Sequence, residues 1–290
     1  MAVELVLNTK SSLGEGPSWD SEKEVLYWVD ILQKKIHQYD PAKNENKTVE
    51  LNQMPGTIAP RESEGVILGL EQGIYFYNWI SEELDPIVDP EEHMPENRFN
   101  DGKCDPAGRF WAGTMELDGK PGEGSLYCLG TDLELMKKIE GVSTSNGLGW
   151  SPDLKAMYYI DTPTEQVVRY DFDLDTGEVK NPKPVIHFSD EEGFPDGMTV
   201  DEEGMLWIAH WGGGGVSKWN PETGEKLEFI SVPAVNVTCC VFGGKDRNEL
   251  FITTARKDMT EDQLEQYPEA GGLFKVSTKT KGMPSYPFKG

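Results

Sequence analysis

The sequence predicts an all-β fold, a six-bladed β-propeller, on three observations. A short turn-punctuated unit recurs six times, each unit runs into an apolar or aromatic anchor, and the anchors recur roughly every 40 to 48 residues, a blade-sized period. The 31 Gly and 19 Pro, with frequent Asp-Gly, Pro-Asp and Glu-Gly pairs, punctuate the chain at short intervals. No stretch sustains a helical apolar period over four turns.

The units begin at Glu15, Thr57, Asn100, Asn146, Asp196 and Thr238 and reach Trp28, Leu68, Trp111, Tyr159, Trp207 and Phe251 about 11 or 13 residues later. Strand side chains alternate faces, so an offset difference of two leaves the first residue pointing the same way. In a blade the innermost strand lines the central channel and the next returns outward after a tight turn. Glu15, Asn100, Asn146 and Asp196 are therefore expected to gather at one mouth of the channel. Ahead of the first unit, residues 2–7 alternate enough to form a strand, and residues 271–277 supply another after the sixth. Pairing them would close the ring and cover two exposed sheet edges. With no linker-like interruption, residues 1–290 are expected to form one propeller domain.

Composition excludes some partners. Lys and Arg total 27 against 51 Asp and Glu, a formal charge of -24 that repels nucleic acid and anionic membranes. The N-terminal segment lacks a basic start followed by an apolar core, and no run of about 18 apolar residues occurs, so a soluble cytoplasmic protein is expected. Cys104, Cys128, Cys239 and Cys240 form no Cys-x-x-Cys pair and are expected to be reduced. Nothing in the sequence calls for more than a monomer or weak oligomer.

Other motifs read as structure. Asp171 to Glu178 resembles a calcium loop, but Thr176 and Pro182 stand where that loop requires Gly and a bidentate acid, so it reads as a strand entering a hairpin. The glycine run Gly212 to Gly215 lacks the Lys-Ser/Thr of a phosphate loop and reads as a turn beside the channel mouth, with His210 and Trp211 just before it. The four histidines make no zinc pair and no Ser-His-Asp triad.

Glu15 in Gly-Glu-Gly-Pro, Asn146 in Ser-Asn-Gly-Leu and Asp196 in Pro-Asp-Gly-Met stand at matched places in three units. Two carboxylates and an amide oxygen make a hard oxygen set suited to one divalent cation, Ca2+, Mg2+ or Mn2+, with Zn2+ also open. Arg98 precedes Asn100 by two residues and projects to the same side, a pairing suited to a hydroxyl-rich or carboxylate-bearing small molecule.

These residues lie in longer segments, chiefly Asn97-Arg-Phe-Asn-Asp-Gly-Lys-Cys-Asp-Pro-Ala-Gly-Arg-Phe-Trp-Ala-Gly-Thr-Met115, with Gly14-Glu-Gly-Pro-Ser-Trp19, Ser145-Asn-Gly-Leu-Gly-Trp150 and Pro195-Asp-Gly-Met198. By them the chain resembles the gluconolactonase family that includes regucalcin, or senescence marker protein. The resemblance runs over nearly the whole chain. It implies a six-bladed propeller with one divalent cation, Ca2+ in the first place, on Glu15, Asn146 and Asp196. It also implies substrate contacts from Arg98 and Asn100 and from an acid after the Gly-Thr-Met segment, for which Glu116 and Asp118 are the candidates.

The expected reaction is hydrolysis of a sugar lactone by metal-activated water, with Asp196 as general base and Arg98 and Asn100 orienting the substrate. The alternatives are a calcium-binding regulatory protein without turnover and a lactonase or esterase for non-sugar substrates.

Overall fold

The computed structural model describes residues 2–188, 191 and 193–290. Six four-stranded antiparallel sheets stand around an axis as the blades of a propeller. Their innermost strands are Gly14–Asp20, Pro55–Pro60, Asn97–Cys104, Ser145–Trp150, Phe194–Val200 and Asn236–Gly243, for blades 1 to 6 in that order. Each innermost strand packs on the next, and blade 6 packs back on blade 1. One short α-helix, Glu261–Gln266, interrupts blade 6. No helix among the described residues is long and apolar enough to cross a membrane.

The anchors sit on the second strands and are buried. Trp111 and Trp207 show how an indole can be buried without stranding its N–H. Each follows an Asp by six residues across a hairpin, and the indole donates to that carboxylate at 2.9 Å, Trp111 to Asp105 and Trp207 to Asp201. The same carboxylates accept turn N–H groups from Arg109 and Met205, so one residue closes the hairpin and satisfies the core aromatic. Trp28 has no such Asp. It stacks instead on His37, with ring centroids 3.8 Å apart. Between blades the apolar faces merge into clusters, such as Trp207, Phe242, Ile252 and Phe274 across blades 5 and 6.

The Asp171 segment is the expected hairpin: the strand Gln166–Phe172 ends there, and Asp173 accepts the Thr176 N–H within the turn. All four cysteines are free and buried.

Blade 6 is built from both chain ends. Its third strand, Leu273–Ser277, pairs with Val3–Leu7, so the N-terminus supplies the outermost strand of the last blade. The residues after it form a strap across the back of the ring. Met283 N donates to Val200 O in blade 5 at 3.0 Å, Phe288 N to Pro60 O in blade 2 at 2.9 Å, and Lys289 N to Gly108 O in blade 3 at 3.0 Å. Phe288 is fully buried in the core between blades 2 and 3. Met283 to Tyr286 cover the back of the channel, where a cavity of only about 40 Å3 remains.

Two predictions follow from this architecture. Deleting residues 1–9 should lower the thermal unfolding midpoint by several degrees or prevent folding, since it exposes an unpaired strand edge; an unchanged midpoint would mean that the terminal pairing does not hold the ring. The second concerns acid. Burial, and then repulsion from Lys35, pushes the His37 imidazole down to about 3. The unfolded chain takes up this proton near pH 6.5 and the folded one does not, so the contribution of neutral His37 is intact above pH 6.5 and is lost as pH falls toward 3. His37→Phe keeps the ring on Trp28 and cannot charge. Between pH 6.5 and 4 its urea-derived stability should fall less steeply than the parent's, by up to about 1.4 kcal/mol per pH unit. Parallel slopes would refute this.

Candidate active site

Every innermost strand departs from its partner's register by one extra residue at the same depth. The irregularities lie between Glu15 and Ser18, Pro55 and Thr57, Phe99 and Gly102, Asn146 and Leu148, Pro195 and Met198, and Val237 and Cys239. Such a bulge bends the strand and re-aims a side chain. In blades 1, 3, 4 and 5 it carries Glu15, Asn100, Asn146 and Asp196 into one pocket of about 230 Å3, which Arg98 also lines. In blades 2 and 6 the equivalent side chains serve the neighbouring blade. Thr57 Oγ1 donates to Gly102 O at 2.9 Å, and Thr238 Oγ1 donates to Gly14 O at 2.6 Å.

The two carboxylates are under electrostatic stress. Burial first, then repulsion from Asp101, pushes Glu15 up to about 8. Burial also holds Asp196 well above the usual carboxylate range, followed by repulsion from Glu15 and Asp101. Glu15 Oε2 accepts the Gly16 N–H at 3.0 Å. Asp196 Oδ1 is buried and takes no hydrogen bond among the described residues. A buried acceptor without a donor, beside a second carboxylate, is costly unless a proton or a cation neutralises it.

Asn146 and Asn100 complete the floor. Asn146 Nδ2 donates to Thr162 Oγ1 at 2.8 Å, and Thr162 Oγ1 donates in turn to Pro195 O, next to Asp196, at 2.8 Å. Asn100 Nδ2 donates to Ser145 O at 2.8 Å and to Asn146 Oδ1 at 3.2 Å. The oxygen set of Glu15, Asn146 and Asp196 suits a hard divalent cation with open positions, and the orphaned Asp196 oxygen is the observation that fits it. No three His, Cys, Asp or Glu side chains are grouped to hold a metal among the described residues, so the amide is needed to complete the set.

Arg98 is buried and more committed than its sequence position implied. Its guanidinium donates to Asn100 Oδ1 at 2.7 Å and Phe99 O at 2.9 Å, and approaches Met115 Sδ at 3.2 Å. Burial pushes it down to about 10, which leaves it charged at neutral pH. Arg98 thus fixes Asn100, while Asn146 is anchored chiefly by its shorter bond to Thr162.

Glu116 and Asp118, the candidate substrate acids, do not line the pocket. Strand alternation turns Met115 and Leu117 inward instead. Glu116 Oε2 accepts the backbone N–H groups of Asp118 at 2.8 Å and Lys120 at 3.0 Å, closing its own turn. Trp211 reaches the pocket, but His210 does not: it is buried, with Nε2 2.7 Å from Ser217 Oγ and its ring beside Phe188. Lys103, which sequence reasoning passed over, spans the channel below the pocket and donates to Leu148 O at 3.0 Å and Met198 O at 2.7 Å, joining blades 3, 4 and 5. No local pattern separates it from a surface lysine.

Known proteins resemble this chain in sequence and in fold. The chain is 44% identical over 286 residues to a protein of Bacillus subtilis (strain 168) provisionally named sugar lactone lactonase YvrE, covering 99% of this chain and 98% of that one. It is 38% identical over 291 residues to regucalcin of Danio rerio, with the same coverage. A crystal structure of a calcium-binding protein, regucalcin, from Agrobacterium tumefaciens superposes with a TM-score of 0.95 at 27% identity, over 99% of this chain and 97% of the other. Residues 13–256 match the model of the SMP-30/Gluconolactonase/LRE-like region, and the chain belongs to that family.

Proposed function

We propose that this chain is a lactonase that opens a cyclic ester with water, assisted by one divalent cation held by Glu15, Asn146 and Asp196. The observation that carries the reading is the meeting of two buried carboxylates and an amide on the floor of a pocket, with Asp196 Oδ1 lacking a donor among the described residues. The family and the sugar lactone lactonase relative support the reaction class, and the calcium-binding relative supports a cation, Ca2+ first, with Mg2+, Mn2+ and Zn2+ as alternatives.

In the reaction, water oxygen bonds to the ester carbonyl carbon, the ring acyl C–O bond breaks, and the ring oxygen leaves as a hydroxyl of the open hydroxy acid. When bound, the cation supplies Lewis-acid polarisation of the carbonyl. Asp196 takes the proton from the attacking water and returns it to the departing ring oxygen. Arg98 keeps Asn100 in place to orient the substrate, and the Asn146 amide is held separately by its bond to Thr162 Oγ1. The strap and Lys103 block the back of the channel, so substrate enters from one mouth.

Acid release from a lactone, measured on chelator-stripped protein before and after cation is restored, tests the reading directly. Turnover above the spontaneous rate that needs no cation, or none at all with any of the four, would overturn it. In the same assay at saturating cation, Asp196→Asn should lose about a hundredfold or more of kcat, because it retains an oxygen but not the base. A variant at the parental rate would reduce Asp196 to a ligand.

Arg98→Lys retains the charge but not the planar fork that reaches both Asn100 and the Phe99 carbonyl. It should lower kcat/KM about tenfold or more while cation affinity changes less than about threefold. Parallel loss of both in calorimetric titration would place Arg98 in support of the cation instead.

A further inference from the structure

The walls of the pocket differ in chemistry from its floor. Above the carboxylates and amides it is lined by Leu13, Leu32, Met54, Met115, Leu117 and Trp211. Leu32 follows the second strand of blade 1, Leu117 follows that of blade 3, and Trp211 ends that of blade 5. These are alternate blades of the ring, so the three side chains face the axis from three directions. Leu32 is 43% exposed and Leu117 38%, values that leave large aliphatic surfaces in water at the mouth itself.

A polyhydroxylated ring needs hydrogen-bond partners for each hydroxyl it brings out of water. The polar side chains that reach this pocket are mostly engaged. Arg98 and Asn100 bond to each other and to backbone carbonyls, Asn146 donates to Thr162, and Thr162 donates to Pro195 O. Lys257 pairs with Asp258 at 2.7 Å and lies over the Trp211 ring. The floor can therefore handle a carbonyl and a water, while the walls offer apolar contact and few spare donors.

We infer that the preferred substrates are lactones carrying an apolar alkyl or aryl arm, which lies along Leu32, Leu117 and Trp211 while the ring carbonyl meets the polar floor. The inference rests on the lactonase reading and specifies the substrate class within it. Each methylene moved from water to an apolar wall improves binding by about fourfold. Two well-covered methylenes would give about a fifteenfold preference.

The test compares three substrates on the purified protein with saturating Ca2+, and again with Zn2+: δ-valerolactone, δ-decalactone, which adds a five-carbon arm, and glucono-δ-lactone. Expected is a kcat/KM at least tenfold higher for δ-decalactone than for either of the others. The double substitution Leu32→Ser with Leu117→Ser, checked for a parental unfolding midpoint, should cut the ratio of δ-decalactone to δ-valerolactone about fivefold or more. Hydrolysis of glucono-δ-lactone at an equal or higher kcat/KM, or a ratio that the double variant leaves unchanged, would overturn the inference and leave the lactonase reading standing. Absence of turnover on all three with Ca2+, Zn2+, Mg2+ and Mn2+ each in turn would remove the lactonase reading and this inference with it.

Discussion

Crowding at the axis is the constraint on which the rest of the molecule depends. Six sheets that converge on one line leave little room between their innermost strands, and the chain answers with glycine where backbones meet. A Cβ on Gly56 would overlap the Phe99 carbonyl, and one on Gly197 would overlap Cys239. Close approach lets a short side chain on one blade reach a carbonyl on the next, as Thr57, Asn100, Thr162 and Thr238 do. It also buries whatever points inward. A carboxylate placed there loses water from nearly every side, and for that reason the pKa values of Glu15 and Asp196 are pushed up. The same geometry that knits the ring creates the unsatisfied charge that a cation would relieve.

The regular parts of this design were legible in the sequence because they repeat. Turn chemistry, a blade-sized period and anchors at two offsets of equal parity led to the ring, to its closure by the terminal strands and to the meeting of Glu15, Asn100, Asn146 and Asp196. Thr57 and Thr238 obey the same register, yet they spend their hydroxyls on the adjoining blades. Register places a residue at the axis but does not decide whether it meets ligand or backbone. Hydroxyls short enough to find a carbonyl do so; longer acids project into the pocket.

What could not be read depends on contacts without periodicity. Glu116 and Asp118 belong to a turn whose course is set locally, and the carboxylate of Glu116 is consumed by that turn. Lys103 acquires its role only because Leu148 and Met198, far away in the chain, present carbonyls within its reach. The pocket walls come from Leu32, Leu117 and Trp211, at similar places in three blades but of unrelated flanking sequence. The strap after Ser277 has no strand pattern at all, and its course is fixed by backbone hydrogen bonds to four blades and by the burial of Phe288.

Building the last blade from both ends of the chain has a consequence for biosynthesis. On the ribosome the strand Val3–Leu7 emerges long before its partner, Leu273–Ser277. Until then this strand must wait unpaired, and its exposed edge is of the kind that invites pairing with other chains. Blades 1 to 5 can form their own hairpins as they appear, because each is contiguous. The ring cannot be sealed until residues 273–277 have emerged. Closure is then the longest-range step in the fold, and chains released before residue 273 would carry five blades, part of a sixth and no means of shutting the circle.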